Sequence, residues 1–255
     1  MPMPDERAAD RRPLHERIAA DLRDDILSGT PAPGASLPST LRLRERFGAS
    51  NATIQKALQL LKDEGLVVGR AGAAVTVREH RQGTVRPADF GRPVEQGKPY
   101  RWLTEASGRG RKGSAKLLAV SEVRPPRDVA ACLELPDDGT AIVRRQVLSL
   151  NGEPVELVHS YYPLSLAAGT PLAGSRKIRG GTPTLLSELG HPPQLTVDRV
   201  SARVPTQEQY ELLELPTDLP VLRTLRVVYS EGERPIEATV MVKAGHLYEL
   251  QYEFE

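Results

Sequence analysis

Four polar side chains recur in the sequence at spacings that place them on one side of a helix. Asn51, Gln55 and Gln59 are four residues apart, and Lys62 follows three residues later. Positions three and four apart share a helix face. An amide side chain can pair with the N6 and N7 edge of adenine, and a lysine can contact phosphate. This face predicts a helix that reads bases in the major groove of DNA.

The opposite side of the same stretch is apolar, which is the pattern of an amphipathic helix packed on a core. Ser50 is a favourable N-cap, and Gly65 is a helix stop, so the helix is expected over roughly residues 51–64. The side chains predicted to be buried are Ile54, Ala57, Leu58 and Leu61.

The elements around this helix predict a winged helix-turn-helix. An amphipathic helix carrying Leu14, Ile18, Leu22 and Ile26 comes first, and a short helix capped by Ser39 follows it. A two-stranded wing is expected at residues 66–77, with Arg70 at its tip placed to reach phosphate or the minor groove. The competing interpretation is a small helical bundle with a solvated polar face.

Short motifs over residues 13–77 distinguish these two interpretations. In order and spacing they resemble the winged helix-turn-helix of the GntR family of bacterial regulators. The motifs are Pro13-Leu14, Ile26-Leu27-Ser28-Gly29, Pro33-Gly34, Leu37-Pro38-Ser39, Phe47-Gly48-Ala49-Ser50, Thr53, Ala57-Leu58, Leu61, Glu64-Gly65-Leu66 and Gly72. Together with the helix face, the resemblance implies DNA contacts from Ser39, Arg42, Asn51, Thr53, Gln55, Lys56, Gln59, Lys62, Arg70 and Gly72.

This chain departs from the family at positions that read bases. Family members commonly carry Arg where this sequence has Leu41, Asn51 and Gln55. Amides at the last two positions indicate an operator richer in A·T pairs than the family's usual guanine-containing half-sites.

Charge divides the sequence into a basic front and an acidic back. Residues 1–116 hold 21 Lys and Arg against 14 Asp and Glu, whereas residues 117–255 hold 13 against 19. We therefore predict a DNA-binding domain over 1–78, a basic linker over 79–116 and a second domain over 117–255. Within the linker, the alternatives are a solvated spacer and extra phosphate contacts through Arg109, Arg111 and Lys112.

Composition restricts the class of protein further. The single cysteine, Cys132, cannot form an intrachain disulfide, and no apolar run approaches the roughly 18 residues of a membrane span. The first residues contain no apolar signal segment. We expect a soluble cytoplasmic protein without cofactor or metal.

The second domain contains an internal repeat with an offset of 80 residues. Leu133-Glu134-Leu135-Pro136 aligns with Leu213-Glu214-Leu215-Pro216, and Gly152 aligns with Gly232. Each copy is predicted as strand, helix and hairpin, which gives an α+β fold with a mostly antiparallel sheet and helices on one face. A short helix over 182–189 is expected between the copies. The repeat could also serve only to close one core.

Several motifs in this domain resemble the UTRA effector-binding domain of the HutC branch of GntR regulators. They include Tyr161-Tyr162-Pro163 and Arg234-Pro235-Ile236-Glu237, and the resemblance covers about residues 115–254. It implies a chorismate-lyase-like fold, a homodimer, and a small anionic or hydroxylated effector between the sheet and the short helix. The implied effector contacts are Arg144, Gln146, Ser160, Thr182, Thr184, Glu237 and Thr239.

Some of these assignments have plain alternatives. Arg144 could restore a positive charge that family pockets carry at other positions, or it could belong to a buried ion pair. Glu237 could be a solvent-facing residue of a hairpin.

Enzymatic function is disfavoured by the absence of catalytic motifs. The sequence has no Gly-x-Ser-x-Gly, no His-Glu-x-x-His, no P-loop and no Cys/His metal spacing, and its five histidines are scattered. We therefore expect a transcriptional regulator, most simply a repressor, whose operator affinity responds to an effector. An effector-independent dimeric repressor and, less favoured, a lyase-like enzyme are the alternatives.

Overall fold

The chain forms two compact units, Met1–Gln82 and Gly83–Glu255. In a computed structural model, no helix of the described residues is long and apolar enough to cross a membrane. The residues that the structure describes are 10–69, 74–79, 83–87, 93–95, 98–108, 110, 112–216 and 219–253.

Three helices form the first unit, and side-chain caps determine where two of them begin. The Ser39 hydroxyl accepts the Arg42 amide N–H at the start of the second helix, and Ser50 does the same for Thr53 at the start of the third. Gly48 ends the second helix in the left-handed conformation, which a glycine adopts without strain. The helices are α1 (Leu14–Leu27), α2 (Thr40–Phe47) and α3 (Asn51–Asp63).

Strands β1 (Val67–Val68) and β2 (Thr76–Val77) follow α3 as an antiparallel pair. Residues 34–37 add backbone hydrogen bonds to residues 75–77, so the loop before α2 extends this small sheet. An ion pair between Arg23 of α1 and Glu64 joins the first helix to the end of the third. The most buried side chains of the unit's core are Ile18, Leu22, Leu43, Ile54 and Leu61.

The second unit is built on a six-stranded antiparallel sheet whose strand order is β4-β5-β6-β9-β8-β7. Each half runs strand, helix, hairpin, and the two halves meet at the β6–β9 pair, so the predicted pseudo-twofold repeat is confirmed. The strands are β4 (Gly113–Val123), β5 (Ala141–Leu150), β6 (Glu153–Pro163), β7 (Leu195–Arg203), β8 (Val221–Tyr229) and β9 (Pro235–Ala244).

The repeat helices α5 (Arg127–Cys132) and α8 (Gln207–Leu212) lie on one face of this sheet. There they cover buried side chains of the central strands. The prediction that the helices of the two copies share one face is therefore confirmed, and α6 (Leu164–Ala167) and α7 (Thr182–Glu188) pack on the other face.

The linker predicted over residues 79–116 differs from what the structure contains. Strand β3 (Gly83–Val85) pairs in parallel with β10 (Tyr248–Leu250), and helix α4 (Arg101–Gly108) packs beside β4. Residue 113 already begins the sheet. From Gly83 onwards this segment therefore belongs to the second unit, where Val85 and Trp102 pack against residues of the sheet.

Candidate functional site

Helix α3 has the two faces that the sequence pattern predicts. Ile54, Ala57 and Leu58 are buried in the core of the first unit, whereas Asn51 and Gln55 are exposed. The remaining predicted polar positions divide by burial: Lys56 and Gln59 are exposed, and Thr53 and Lys62 are half-buried. Ser39 and Arg42 on α2 are exposed as well.

Two amides of this face already have partners within the first unit. The Gln59 Nε2 group donates to Asp63 Oδ1 at 2.7 Å, and Gln55 Nε2 donates to Thr40 Oγ1 at 3.4 Å. The Gln55 bond is long and therefore weak, so this amide is free to turn toward another acceptor. Gln59 must first break a short bond. Gln55 is thus better placed than Gln59 for contacts outside the chain.

The wing of the first unit is described only in part. Arg70 and Gly72, both predicted to contact DNA, lie outside the described residues. Lys62, which was predicted to lie on the outer helix face, is half-buried. Its side chain lies against Gly69, at the end of β1.

In the second unit, a row of polar side chains crosses the sheet. Register pairs Arg144 with Ser160, Ser160 with Thr239, Thr239 with Arg226, and Arg226 with Asp198. All five line a cavity of about 320 Å³. A cavity of this size is within the usual range of small-molecule sites.

The sequence predicted part of this lining. Gln146, Thr182 and Glu237 also line the cavity, so six of the seven predicted effector residues come together there. Asp198 and Arg226 were missed. The 80-residue repeat contained a signal for the second of them, since Arg226 aligns with the predicted Gln146.

Thr184 is the predicted residue that does not reach this cavity. Its buried hydroxyl donates to the Gly180 carbonyl and accepts the Val94 amide N–H, each at 3.1 Å. Thr182 and Thr184 lie on one short helix, where residues two apart point about 200° from each other. Only Thr182 can therefore face the cavity, and Thr184 secures the loop instead.

Glu237 is a buried carboxylate, 7% exposed, which excludes the surface alternative for this residue. Its Oε1 atom is 2.5 Å from the Thr239 hydroxyl, which is 2.8 Å from the Ser160 hydroxyl. A hydroxyl donates one hydrogen, so Thr239 donates to the carboxylate and Ser160 donates to Thr239. Burial raises the pKa of Glu237, while the hydrogen bond from Thr239 opposes that rise.

The Tyr162 hydroxyl lines the same end of the cavity. Its side chain is fully buried, and the hydroxyl makes no hydrogen bond of normal geometry in the described part of the chain. Burial and the charge of Glu237 raise the pKa of Tyr162 well above its usual value. A buried hydroxyl without a partner costs free energy unless a bound molecule pairs with it.

Arg144 does not form the buried ion pair that was one alternative from the sequence. Its guanidinium donates to the backbone carbonyls of Pro171, Leu172, Gly174 and Arg176, at 3.3, 2.9, 2.5 and 2.9 Å. The side chain therefore lines the cavity but is committed to the loop over residues 171–176. Among the described residues it forms no ion pair, so its positive charge is not balanced by a carboxylate.

The other buried cations of the cavity are paired with carboxylates. Arg226 binds Asp198 through two bonds of 2.8 Å, and its Nη2 atom also donates to the Pro87 carbonyl. Lys243 Nζ is 2.5 Å from Glu156 Oε1, with both side chains about 6% exposed. Each of these two cations is therefore balanced by its own carboxylate inside the cavity.

One wall of the cavity comes from the segment predicted as linker. Val85 of β3, Tyr100, and Trp102 and Leu103 of α4 line it. The sequence carried a signal, because Tyr100 and Trp102 are aromatic residues in a chain with only 4% aromatics. Among the described residues, no group of three or more His, Cys, Asp or Glu could hold a metal ion.

Comparisons with known proteins match both units. Residues 14–77 match the family model of bacterial regulatory proteins of the gntR family, and residues 108–249 match the UTRA domain. An HTH-type transcriptional regulator of Streptomyces coelicolor is 26% identical over 97% of this chain and 94% of its own. The regulator GgaR of Escherichia coli K12 is 25% identical over 94% of this chain and 91% of its own.

The fold is also that of a solved regulator. The crystal structure of PhnF from Mycobacterium smegmatis matches with a TM-score of 0.58 at 20% identity, covering 93% of this chain and 99% of that one. The UTRA match spans more than half of the chain and follows the gntR match in the same order as the two units. The chain therefore belongs to the GntR family of bacterial regulators that carry a UTRA domain, and it is a DNA-binding transcriptional regulator, not an enzyme.

Proposed function

We propose that this regulator is a sequence-specific repressor of the HutC branch, acting as a homodimer whose operator affinity is changed by a small molecule in the cavity of the second unit. The observation that carries the proposal is helix α3, which buries one apolar face and exposes Asn51, Gln55 and Lys56 on the other. Because it acts on the genome, we place it in the cytoplasm.

In this proposal, Asn51 and Gln55 read base edges while Arg42 and Lys56 hold the phosphate backbone. The amides lie in the first turns of α3, the part of a recognition helix that reaches bases. Ser39 and Thr53 sit at helix starts, where hydroxyls and N–H groups suit phosphate contacts. An A·T-rich half-site follows from the amide chemistry.

The small-molecule part of the proposal rests on the buried polar row of the cavity. Glu237, Thr239 and Ser160 form a hydrogen-bonded chain inside the sheet unit, far from solvent. Buried ionisable groups with shifted pKa values are common at binding sites and cost stability elsewhere. A ligand that uses them explains their presence.

The exposed edge of strand β7 is the feature of the second unit that favours a homodimer. Strand β7 is the last strand of the six-stranded sheet, and Leu195, Val197 and Val200 on it are 52%, 38% and 44% exposed. An edge strand with unpaired backbone groups and apolar side chains is a natural place for a twofold-related copy to pair. A dimer would also bind two half-sites of a near-palindromic operator.

Binding-site selection from random duplexes, followed by titration at several salt concentrations, tests the DNA-reading assignment. We expect a near-palindromic site whose affinity falls steeply with salt. Gln55→Ala should cost roughly 1–3 kcal/mol and relax the preference at particular base pairs. Lys56→Ala, its neighbour on the same exposed face, is the matched control and should weaken all sequences alike. An unchanged sequence preference in Gln55→Ala contradicts the assignment.

Effector control is tested by linkage between the two ligands. A molecule that changes operator affinity must have its own affinity changed by operator by the same factor, typically equivalent to roughly 1–3 kcal/mol. Thermal-shift screening of metabolites identifies binders, since ligands of the folded state raise the midpoint. A binder that leaves operator affinity unchanged would favour an effector-independent repressor.

A further inference from the structure

The cavity of the second unit changes in polarity along the strands that form its floor. At one end lie Glu237 and Thr239 of β9 and Ser160 of β6, joined by hydrogen bonds. Two residues further along, Val158 lies opposite Met241, with Gln146 and Thr224 on the neighbouring strands. The next pair on these strands is the ion pair of Glu156 and Lys243, whose charges balance each other. The second end of the cavity therefore takes its apolar character from Val158, Met241 and the walls that pack on them.

Walls at the second end strengthen this polarity difference. Trp102 and Val85 pack with Leu148, Val158 and Met241 in one apolar cluster. Leu103 and Leu250 line the cavity beside them. Glu237 and Met241 are four residues apart on β9, so about 13 Å of strand separates the polar end from the apolar one.

At the polar end, Glu237 is a buried carboxylate with no ion-pair partner in the described part of the chain. Arg226 is paired with Asp198, and Arg144 uses much of its guanidinium for four backbone carbonyls. The lysines described in the lining lie elsewhere, because Lys243 is paired with Glu156 beyond Met241 and Lys177 is exposed. This end therefore favours a ligand group that donates to Glu237.

The hydrogen-bonding groups that remain at this end point to the same chemistry. Glu237 Oε1 already accepts a bond from Thr239, and a carboxylate can accept several more. The buried Tyr162 hydroxyl lacks a hydrogen-bond partner of normal geometry within the described residues. Both groups can accept a bond from a ligand hydroxyl or ammonium group.

We propose that the effector is amphipathic, an inference that rests on the proposed effector function. Its head is a hydroxyl or ammonium group that donates a hydrogen bond to Glu237, and its apolar body packs against Met241 and Trp102. Of the anionic and hydroxylated ligands that the family resemblance implies, this favours the hydroxylated one and adds an amine as a second possibility. A sugar phosphate would place its negative charge beside Glu237, and it would leave the apolar end unfilled.

The chain carries its own reporter for this proposal, because Trp102 is its only tryptophan and lines the apolar end. The full-length protein is titrated with octylamine, octanol, octanoate, butylamine and glucosamine 6-phosphate while Trp102 emission is followed. Octylamine and octanol should bind saturably, with octylamine at least tenfold tighter than octanoate. Butylamine should bind at least tenfold more weakly than octylamine, since each buried methylene contributes about fourfold. Comparing octylamine with octanol separates an ammonium head from a hydroxyl head.

Two variants test the two ends separately. Glu237→Gln should bring octylamine and octanoate within about threefold of each other while keeping the chain-length dependence. Met241→Gln should reduce the octyl-to-butyl ratio at least threefold while keeping the preference for the amine. Val204→Gln, at an exposed position outside the cavity, is the control and should change neither ratio. Thermal unfolding of each variant verifies that the fold is intact.

Several results would overturn the inference. One is that neither octylamine nor octanol gives a saturable change in Trp102 emission, and another is that butylamine binds as tightly as octylamine. The inference also fails if octanoate binds more tightly than octylamine, or if glucosamine 6-phosphate binds more tightly than the octyl probes. Operator affinity is measured separately. If octylamine binding depends on both the amine head and the chain length, the inference is supported even when operator affinity stays constant. In that case only the proposed effector control fails.

Discussion

Replacing Arg144 should destabilise the second unit far more than replacing its sequence neighbour, Arg145. The Arg144 guanidinium donates to four carbonyls of the loop over residues 171–176, and three of these bonds are 2.9 Å or shorter. Hydrogen bonds to a charged group contribute about 1.5–3 kcal/mol each. The contributions do not add, because water can replace the donor at carbonyls near the surface.

Burial decides how much of this energy Arg144→Met loses. Leu172 is fully buried, so its carbonyl stays unpaired in the variant and costs about 1–3 kcal/mol. Gly174 and Arg176 are partly or fully exposed, and water can recover most of their bonding. With a further loss of about 1 kcal/mol from those sites, we expect a total of about 2–4 kcal/mol. Arg144→Lys should lose less, because one ammonium can still reach part of the loop.

Urea unfolding of the full chain, followed by Trp102 emission, measures this effect in the second unit alone. Arg145→Met is the control, since Arg145 is half-buried and pairs with the exposed Glu208. Such a pair contributes about 0–1 kcal/mol. Hydrogen exchange over residues 171–176 should also rise in Arg144→Met. A loss below 1 kcal/mol, equal to that of Arg145→Met, would refute the assignment of Arg144 to the loop.

Two further predictions concern buried ionisable groups. Glu156→Gln should destabilise the second unit by about 3–5 kcal/mol because Lys243 loses its partner, whereas the double variant Glu156→Leu with Lys243→Met should be close to wild type in urea unfolding. An equal loss of unfolding free energy in the single and the double variant would contradict this assignment of the ion pair. Burial and the charge of Arg145 lower the pKa of His159 to about 4. Since the unfolded value is near 6.5, stability is full above that pH and falls toward pH 4, by roughly 1–2 kcal/mol after allowing for partial exposure. His159→Gln should remove this pH dependence, and an unchanged slope argues against it.

The first unit was predictable because its determinants are local. The caps at Ser39 and Ser50, the left-handed Gly48 and the apolar stripe of α3 each depend on residues within about four positions. The two equivalent halves of the second unit were also predictable from the 80-residue repeat, but the strands that meet at the centre of the sheet were not. The side-chain contacts between distant parts of the second unit could not be predicted.

The partners of the cavity residues come from distant and irregular parts of the chain. Arg144 finds its acceptors about 30 residues later in a loop without periodicity, and backbone carbonyls leave no mark in a sequence. The cover formed by β3 and α4 was hidden by the Gly, Pro and Arg residues around it. Thr184 was a different kind of error, since helix geometry alone separates it from Thr182.

The charges that the sheet buries are themselves an argument for a ligand. The Arg226–Asp198 and Lys243–Glu156 pairs and Glu237 all face one cavity, although apolar residues at such positions usually give equal or greater stability. These charged residues are not needed to stabilise the fold, because the other face of the same sheet is largely apolar. The polar residues are therefore best explained by a bound ligand, which is the assumption on which the proposed amphipathic effector depends.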